Sequence, residues 1–135
     1  MLEEFEIKAE DTVRVHEDNL RTMVTSILEQ VGVPPEDARL GADVMVTADL
    51  RGVDTHGVSN MLRVYVERFR NGLTNPQPNW HIVRETPATA NIDSDRGLGI
   101  IVAPKAMQIA ITKAKDIGIG IVTVGNGRHL GMAAY

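Results

Sequence analysis

The chain has 135 residues, 43% hydrophobic and 24% charged, a balance that allows a buried core and excludes a disordered tail. With 14 Lys plus Arg against 18 Asp plus Glu, the net charge of −4 has the wrong sign for nucleic acid or an anionic membrane surface. The lack of cysteine removes disulfide scaffolds, thiolate zinc sites, iron–sulfur clusters and cysteine nucleophiles together. With few aromatic side chains, the core must be aliphatic and methionine-rich. The N-terminal Met1-Leu2-Glu3-Glu4-Phe5-Glu6 is acidic and leads into no apolar run long enough for a signal peptide or a membrane span, so a cytoplasmic location is expected.

Leu20, Met23, Val24, Ile27, Leu28 and Val31 recur at helical spacing, predicting a first helix over 18–31 with Gly32 as its C-cap. Pro34-Pro35-Glu36-Asp37 supplies a helix start, and Ala38, Ala42, Met45, Val46 and Ala48 predict a second, largely buried helix ending at Leu50. The polar Arg51-Gly52-Val53-Asp54-Thr55-His56-Gly57 interrupts the pattern, which Met61, Leu62, Tyr65, Val66 and Phe69 resume up to Asn71-Gly72. Asn75-Pro76-Gln77-Pro78 cannot be helical and marks a boundary between a helical region, 1–75, and a second region, 76–135. Trp80–Arg84 and Ala88–Ile92 read as short strands of a hairpin joined at Thr86-Pro87, with Asp93–Gly97 as a following turn. A helix over about 100–117, with Pro104 near its first turn and Gly118 at its end, then feeds Ile119–Val124, expected as a buried strand. The class is therefore α/β. So small a sheet leaves an uncovered face and open edges, so further C-terminal sequence or a partner is expected to complete it.

His56 lies in a glycine-bounded loop behind Asp54 and Thr55, which can orient an imidazole, and histidine moves a proton near neutral pH. Spacing alone favours a histidine that caps a helix end or packs in a turn. Gly125-Asn126-Gly127-Arg128-His129-Leu130-Gly131 follows a strand, but its spacing is not G-x-G-x-x-G, so a tight turn is the default over a dinucleotide loop. His129 still falls where α/β proteins place functional side chains. Asp54, His56 and His129 are conceivable metal ligands, although D-x-H is a weak pattern and no metal is assigned. His16 and His81 read as solvated. Arg51, Arg63, Arg68 and Arg70 surround the His56 loop and the helix after it, so one of them can grip a carboxylate. Arg63 falls near His56 on the helical turn, and Arg68 and Arg70 read as a solvated face.

Ala48-Asp49-Leu50-Arg51-Gly52-Val53-Asp54-Thr55-His56-Gly57-Val58, Tyr65-Val66-Glu67-Arg68, Asn75-Pro76, Thr86–Ala90, Gly97-Leu98-Gly99, Lys113-Ala114-Lys115 and Asn126 to His129-Leu130-Gly131 together resemble the malate/L-lactate dehydrogenase family, which is unrelated to the Rossmann-type lactate and malate dehydrogenases. The resemblance implies a non-Rossmann fold and an oxidoreductase using NAD or NADP on 2-hydroxy and 2-oxo acids such as malate, L-lactate, sulfolactate, ureidoglycolate or diketogulonate. It implies that His56 is the acid/base and Thr55 the hydroxyl beside it, contacting substrate and cofactor. His129 becomes a second active-site histidine near substrate and nicotinamide, with Asn126 on the cofactor side. Many members carry arginine where this chain has Asn60, which leaves Arg63 or Arg51 to hold the acid; Gly127 and Arg128 replace a frequent Ser-Asn. Members are dimers well over twice this long, so the chain is expected to be an N-terminal portion. A non-catalytic homologue that binds a subunit through the helix faces around Met45 and Met61 is the alternative.

Overall fold

The structure, a computed structural model, describes residues 13–133. The acidic segment Met1 to Glu6 and the terminal Tyr135 lie outside the described residues.

Helix α1 spans Glu17–Gln30, one residue before the prediction at each end. Its start is set by His16, expected to be merely solvated, whose Nδ1 accepts the Asp18 backbone N–H at 3.4 Å. Glu17 and Asp18 add charge of the sign the helix dipole favours there. Helix α2, Pro35–Leu50, opens on proline at its first position and buries Ala38, Ala42, Val44, Met45, Val46 and Ala48. Helix α3, Val58–Arg70, is amphipathic and buries Val58, Tyr65 and Phe69. Met45 is 1% exposed and Met61 packs against the core, so the helix faces around them are occupied within this chain. Most of the exposed large apolar side chains lie instead on the second half.

That half begins with β1, His81–Glu85, and β2, Thr89–Asp93, an antiparallel hairpin with an irregularity between Ile82 and Arg84. Helix α4, Gly99–Ile117, then crosses over to β3, Ile121–Gly125, which pairs in parallel with β2, giving the order β1-β2-β3. Pro104 falls inside α4 rather than at its first turn. Only the central strand is buried, through Ala90 and Ile92. β3, expected to be a buried strand, is an edge strand with Ile121 and Val124 50% and 40% exposed. Three strands with one crossover helix cannot cover both its faces.

The hydrophobic core joins α1, α2 and α3 to Leu98, Ile100 and Ile101 at the start of α4. Each fully buried side chain of the size of Leu28, Met45, Tyr65 or Ile100 contributes about 1.5–3 kcal/mol. The proline segment is pinned as well. Asp95 Oδ2 accepts the Asn75 side-chain amide at 2.8 Å and the Asn79 backbone N–H at 3.0 Å, and Gln77 Nε2 donates to the Gly32 carbonyl at 3.0 Å. Polar ties fix α4: Lys105 pairs with Asp37 of α2, while the buried Lys113 ammonium reaches Glu85 Oε1 and the Thr86 carbonyl, both at 2.7 Å.

Candidate active site

Between α2 and α3 the chain makes a single 3₁₀ turn, Asp54–His56, closed by His56 N–H to Val53 O at 2.9 Å and Gly57 N–H to Asp54 O at 3.1 Å. Asp49, near the end of α2, reaches over this turn and accepts the Val58 N–H through Oδ2 at 2.9 Å, satisfying an orphan donor at the start of α3. Burial raises the Asp49 carboxyl above its ordinary value, with Asp54 adding to the rise and the Val58 hydrogen bond opposing it. A Cβ at position 57 would lie 1.6 Å from Asp49 Oδ1, so the glycine of the Thr-His-Gly motif is there to leave room for the carboxylate. Asn60 donates its side-chain amide to the Asp54 carbonyl at 2.7 Å, bracing the turn from α3.

The held turn presents His56 to a histidine that sequence places far away. The His56 and His129 rings are 5.4 Å apart between centroids and 15° from parallel. His129 arrives because the segment after β3, which is not helical between 126 and 133, runs back across the first turn of α4. Gly99 makes that approach possible, since a Cβ there would lie 2.6 Å from the carbonyl oxygens of Arg128 and His129. Arg128 anchors the same segment by donating from Nε to the Leu73 carbonyl at 2.7 Å.

Each ring has its own partner. Thr55 Oγ1 lies 2.9 Å from His56 Nδ1, while the hydroxyl of the fully buried Tyr65 lies 2.8 Å from His129 Nδ1, which the Gly131 N–H also approaches at 3.3 Å. His129 is held below its ordinary value by burial first, then by His56 and Arg68. Burial pushes the Tyr65 phenol up to about 12, against a smaller opposing pull from Arg68.

Of the residues proposed from sequence, the fold thus gathers Thr55, His56 and His129, and uses Asn60 to brace the turn. Arg51 caps the C-terminus of α2 and is exposed, as is Arg63 on α3. Asn126 donates to Asp93 Oδ1 at 3.1 Å, tying the turn after β3 to the end of β2. Among the described residues no three His, Asp or Glu side chains are gathered to hold a metal ion, so Asp54, His56 and His129 do not form such a group. Arg68, read as part of a solvated face, is half-buried and is the guanidinium whose field reaches both Tyr65 and His129. Sequence reasoning gave no role to Asp49, Tyr65 or Arg68. The available signals were a carboxylate inside an apolar helix and a tyrosine at the centre of an apolar stripe, whose hydroxyl needs a partner once buried.

The sequence model of the malate/L-lactate dehydrogenase family matches residues 15–135. The chain is 46% identical over 126 residues to malate dehydrogenase from Pyrococcus horikoshii, covering 93% of this chain and 35% of that protein. It is 45% identical over 118 residues to L-sulfolactate dehydrogenase from Methanocaldococcus jannaschii, covering 87% and 34% respectively. The solved P. horikoshii malate dehydrogenase superposes with a TM-score of 0.88 over 91% of this chain and 35% of its own, at 46% identity. Malate dehydrogenase from Entamoeba histolytica gives 0.88 at 39% identity over 92% and 34%. The chain belongs to the malate/L-lactate dehydrogenase family. It spans about a third of the length of the curated relatives it matches.

Proposed function

We propose that this chain supplies the proton-transfer side of an NAD- or NADP-dependent oxidoreductase that interconverts small 2-hydroxy and 2-oxo acids of the malate, L-lactate or sulfolactate type. The observation that carries the reading is the pairing of His56 with His129, two imidazoles brought face to face from either side of the proline segment. Reducing a 2-oxo acid needs a proton for the carbonyl oxygen, a cation for the carboxylate and a hydride for the carbonyl carbon. His56 is the proton donor: it gives its proton to the carbonyl oxygen as the C–H bond forms, and takes it back from the hydroxyl in the reverse direction. Thr55 orients the His56 ring. Arg63 is the candidate for the carboxylate, with Arg51 and Asn60 beside the turn and Arg68 as a second cation whose field already falls on His129.

The uncharged hydrogen-bonding groups on offer are the His129 ring and the Thr55 hydroxyl at the paired imidazoles and, at the turn after β3, Asn126, whose amide is held by Asp93 Oδ1. They carry no negative charge and suit the carboxamide and ribose hydroxyls of a nicotinamide nucleotide, which these three residues would hold. When bound, that cofactor supplies or accepts the hydride. A homodimer, a cytoplasmic location and a division of the chain into 1–75 and 76–135 belong to the same reading.

The test is a panel of malate, L-lactate and sulfolactate with NAD or NADP, followed by absorbance of the reduced cofactor, using the protein expressed from its own gene. Turnover of at least one pair is expected. If no acid is turned over and the reduced cofactor does not bind, the alternative of a non-catalytic homologue that binds another subunit takes over.

A further inference from the structure

We propose that Tyr65 is a positioning residue that holds His129 as the neutral tautomer with its proton on Nε2, so that His129 offers a fixed hydrogen-bond donor and His56 alone moves a proton. This rests on the reading of the two histidines as the reacting pair. A backbone N–H can only donate, and that of Gly131 lies 3.3 Å from His129 Nδ1. Nδ1 is therefore an acceptor, and the Tyr65 hydroxyl, 2.8 Å from the same atom, donates to it as well. A neutral imidazole with its lone pair at Nδ1 carries its hydrogen on Nε2. Protonating the ring would place a hydrogen on Nδ1 against two donors.

The groups facing His129 make the same point. Tyr65 and Arg68 come from α3 and His56 from the 3₁₀ turn, and no carboxylate among the described residues pairs with the ring. A histidine that works as a base is commonly backed by an acceptor, usually a carboxylate, that stabilises the imidazolium. His129 is backed by a phenol, which, buried and 0% exposed, stays protonated and donating. His56 differs in kind: its Nδ1 faces the Thr55 hydroxyl, which can rotate to donate or to accept, so this ring changes protonation without losing its partner.

The experiment is a two-bond ¹H–¹⁵N correlation spectrum of the labelled whole chain and of Tyr65→Phe, which keeps the buried ring and loses only the hydroxyl. In the unaltered chain at neutral pH, His129 is expected with Nε2 protonated and Nδ1 bare; a proton on Nδ1 would overturn the proposal whether or not the variant folds. In a folded Tyr65→Phe, loss of a hydrogen bond worth about 1 kcal/mol raises the His129 pKa by about 0.5–1 unit and lets the second tautomer appear. An unchanged His129 titration there would also overturn it. Neither reading needs turnover, so a protein inactive on every acid would count against the dehydrogenase reading while leaving the tautomer measurable.

Discussion

His129 is the residue at which burial, charge and hydrogen bonding all act in one direction. Burial, then His56, then Arg68 hold it below the ordinary histidine value of 6.5. Below that pH the unfolded chain takes up a proton that the native ring resists, so the unfolded state binds more protons and native stability falls as the pH drops through the window beneath 6.5. The expected result is a urea midpoint that declines as the pH falls below about 6.5, with a shallower decline in His129→Gln. Equal slopes would show that other groups control the acid sensitivity. The carboxylate site is also decided by single residues. Arg63→Ala is expected to raise the KM for the acid and leave that for the cofactor. If only Arg68→Ala does so, the substrate carboxylate sits over the half-buried guanidinium beside Tyr65 and His129. Sequence could name His56 and His129 because their motif resembles a known family. It could not reveal that Tyr65 serves His129, because a helical stripe tells which residues face inward and not what a buried hydroxyl meets there.

At the scale of elements, the turn that presents His56 depends on one carboxylate and one missing methyl group. Asp49→Ala removes the cap on α3 and is expected to cost about 0.5–2 kcal/mol in urea unfolding. Gly57→Ala drives a Cβ into the Asp49 carboxylate and is expected to cost about 1–3 kcal/mol. Because both act through the same contact, the double variant should lose clearly less than the sum. Strict additivity would show that the two residues do not share that contact. The helices were legible because proline, glycine and acidic first turns mark their ends: α2 begins at Pro35 and ends at Leu50 as the sequence predicted. β3 misled because Ile121, Val122 and Val124 have a buried strand's composition. Whether a strand lies inside or at the edge depends on what pairs with its far side, and that is not local information.

For the molecule as a whole, the unmatched surface is coherent. A groove of about 630 Å³ runs between α4 and β3, past Ala106, Met107, Ile121 and Leu130. Met107, Ile121 and Leu130 are 57%, 50% and 48% exposed, a contiguous apolar surface larger than isolated residues would make. These 135 residues expressed alone are therefore expected to bind a hydrophobic dye and to elute above monomer size, and Met107→Glu with Leu130→Glu should reduce both. A monomer that binds no dye would show this surface to be innocuous. Among the described residues no helix is long and apolar enough to cross a membrane. The core continuous from α1 to α4 carries the histidine pair across the proline segment. Sequence could not foresee those ties, since what Asn75-Pro76-Gln77-Pro78 meets is not local information: its side chains reach Asp95 and Gly32.

In the proposed reaction His56 carries the proton. This role is tested most directly by comparing His56→Ala with the unaltered protein, expressed from its own gene, in steady-state turnover of the best acid found. The expected result is a loss in kcat on the order of 10²-fold or more with little change in cofactor affinity and an unaltered fold. Turnover that survives the substitution would contradict it.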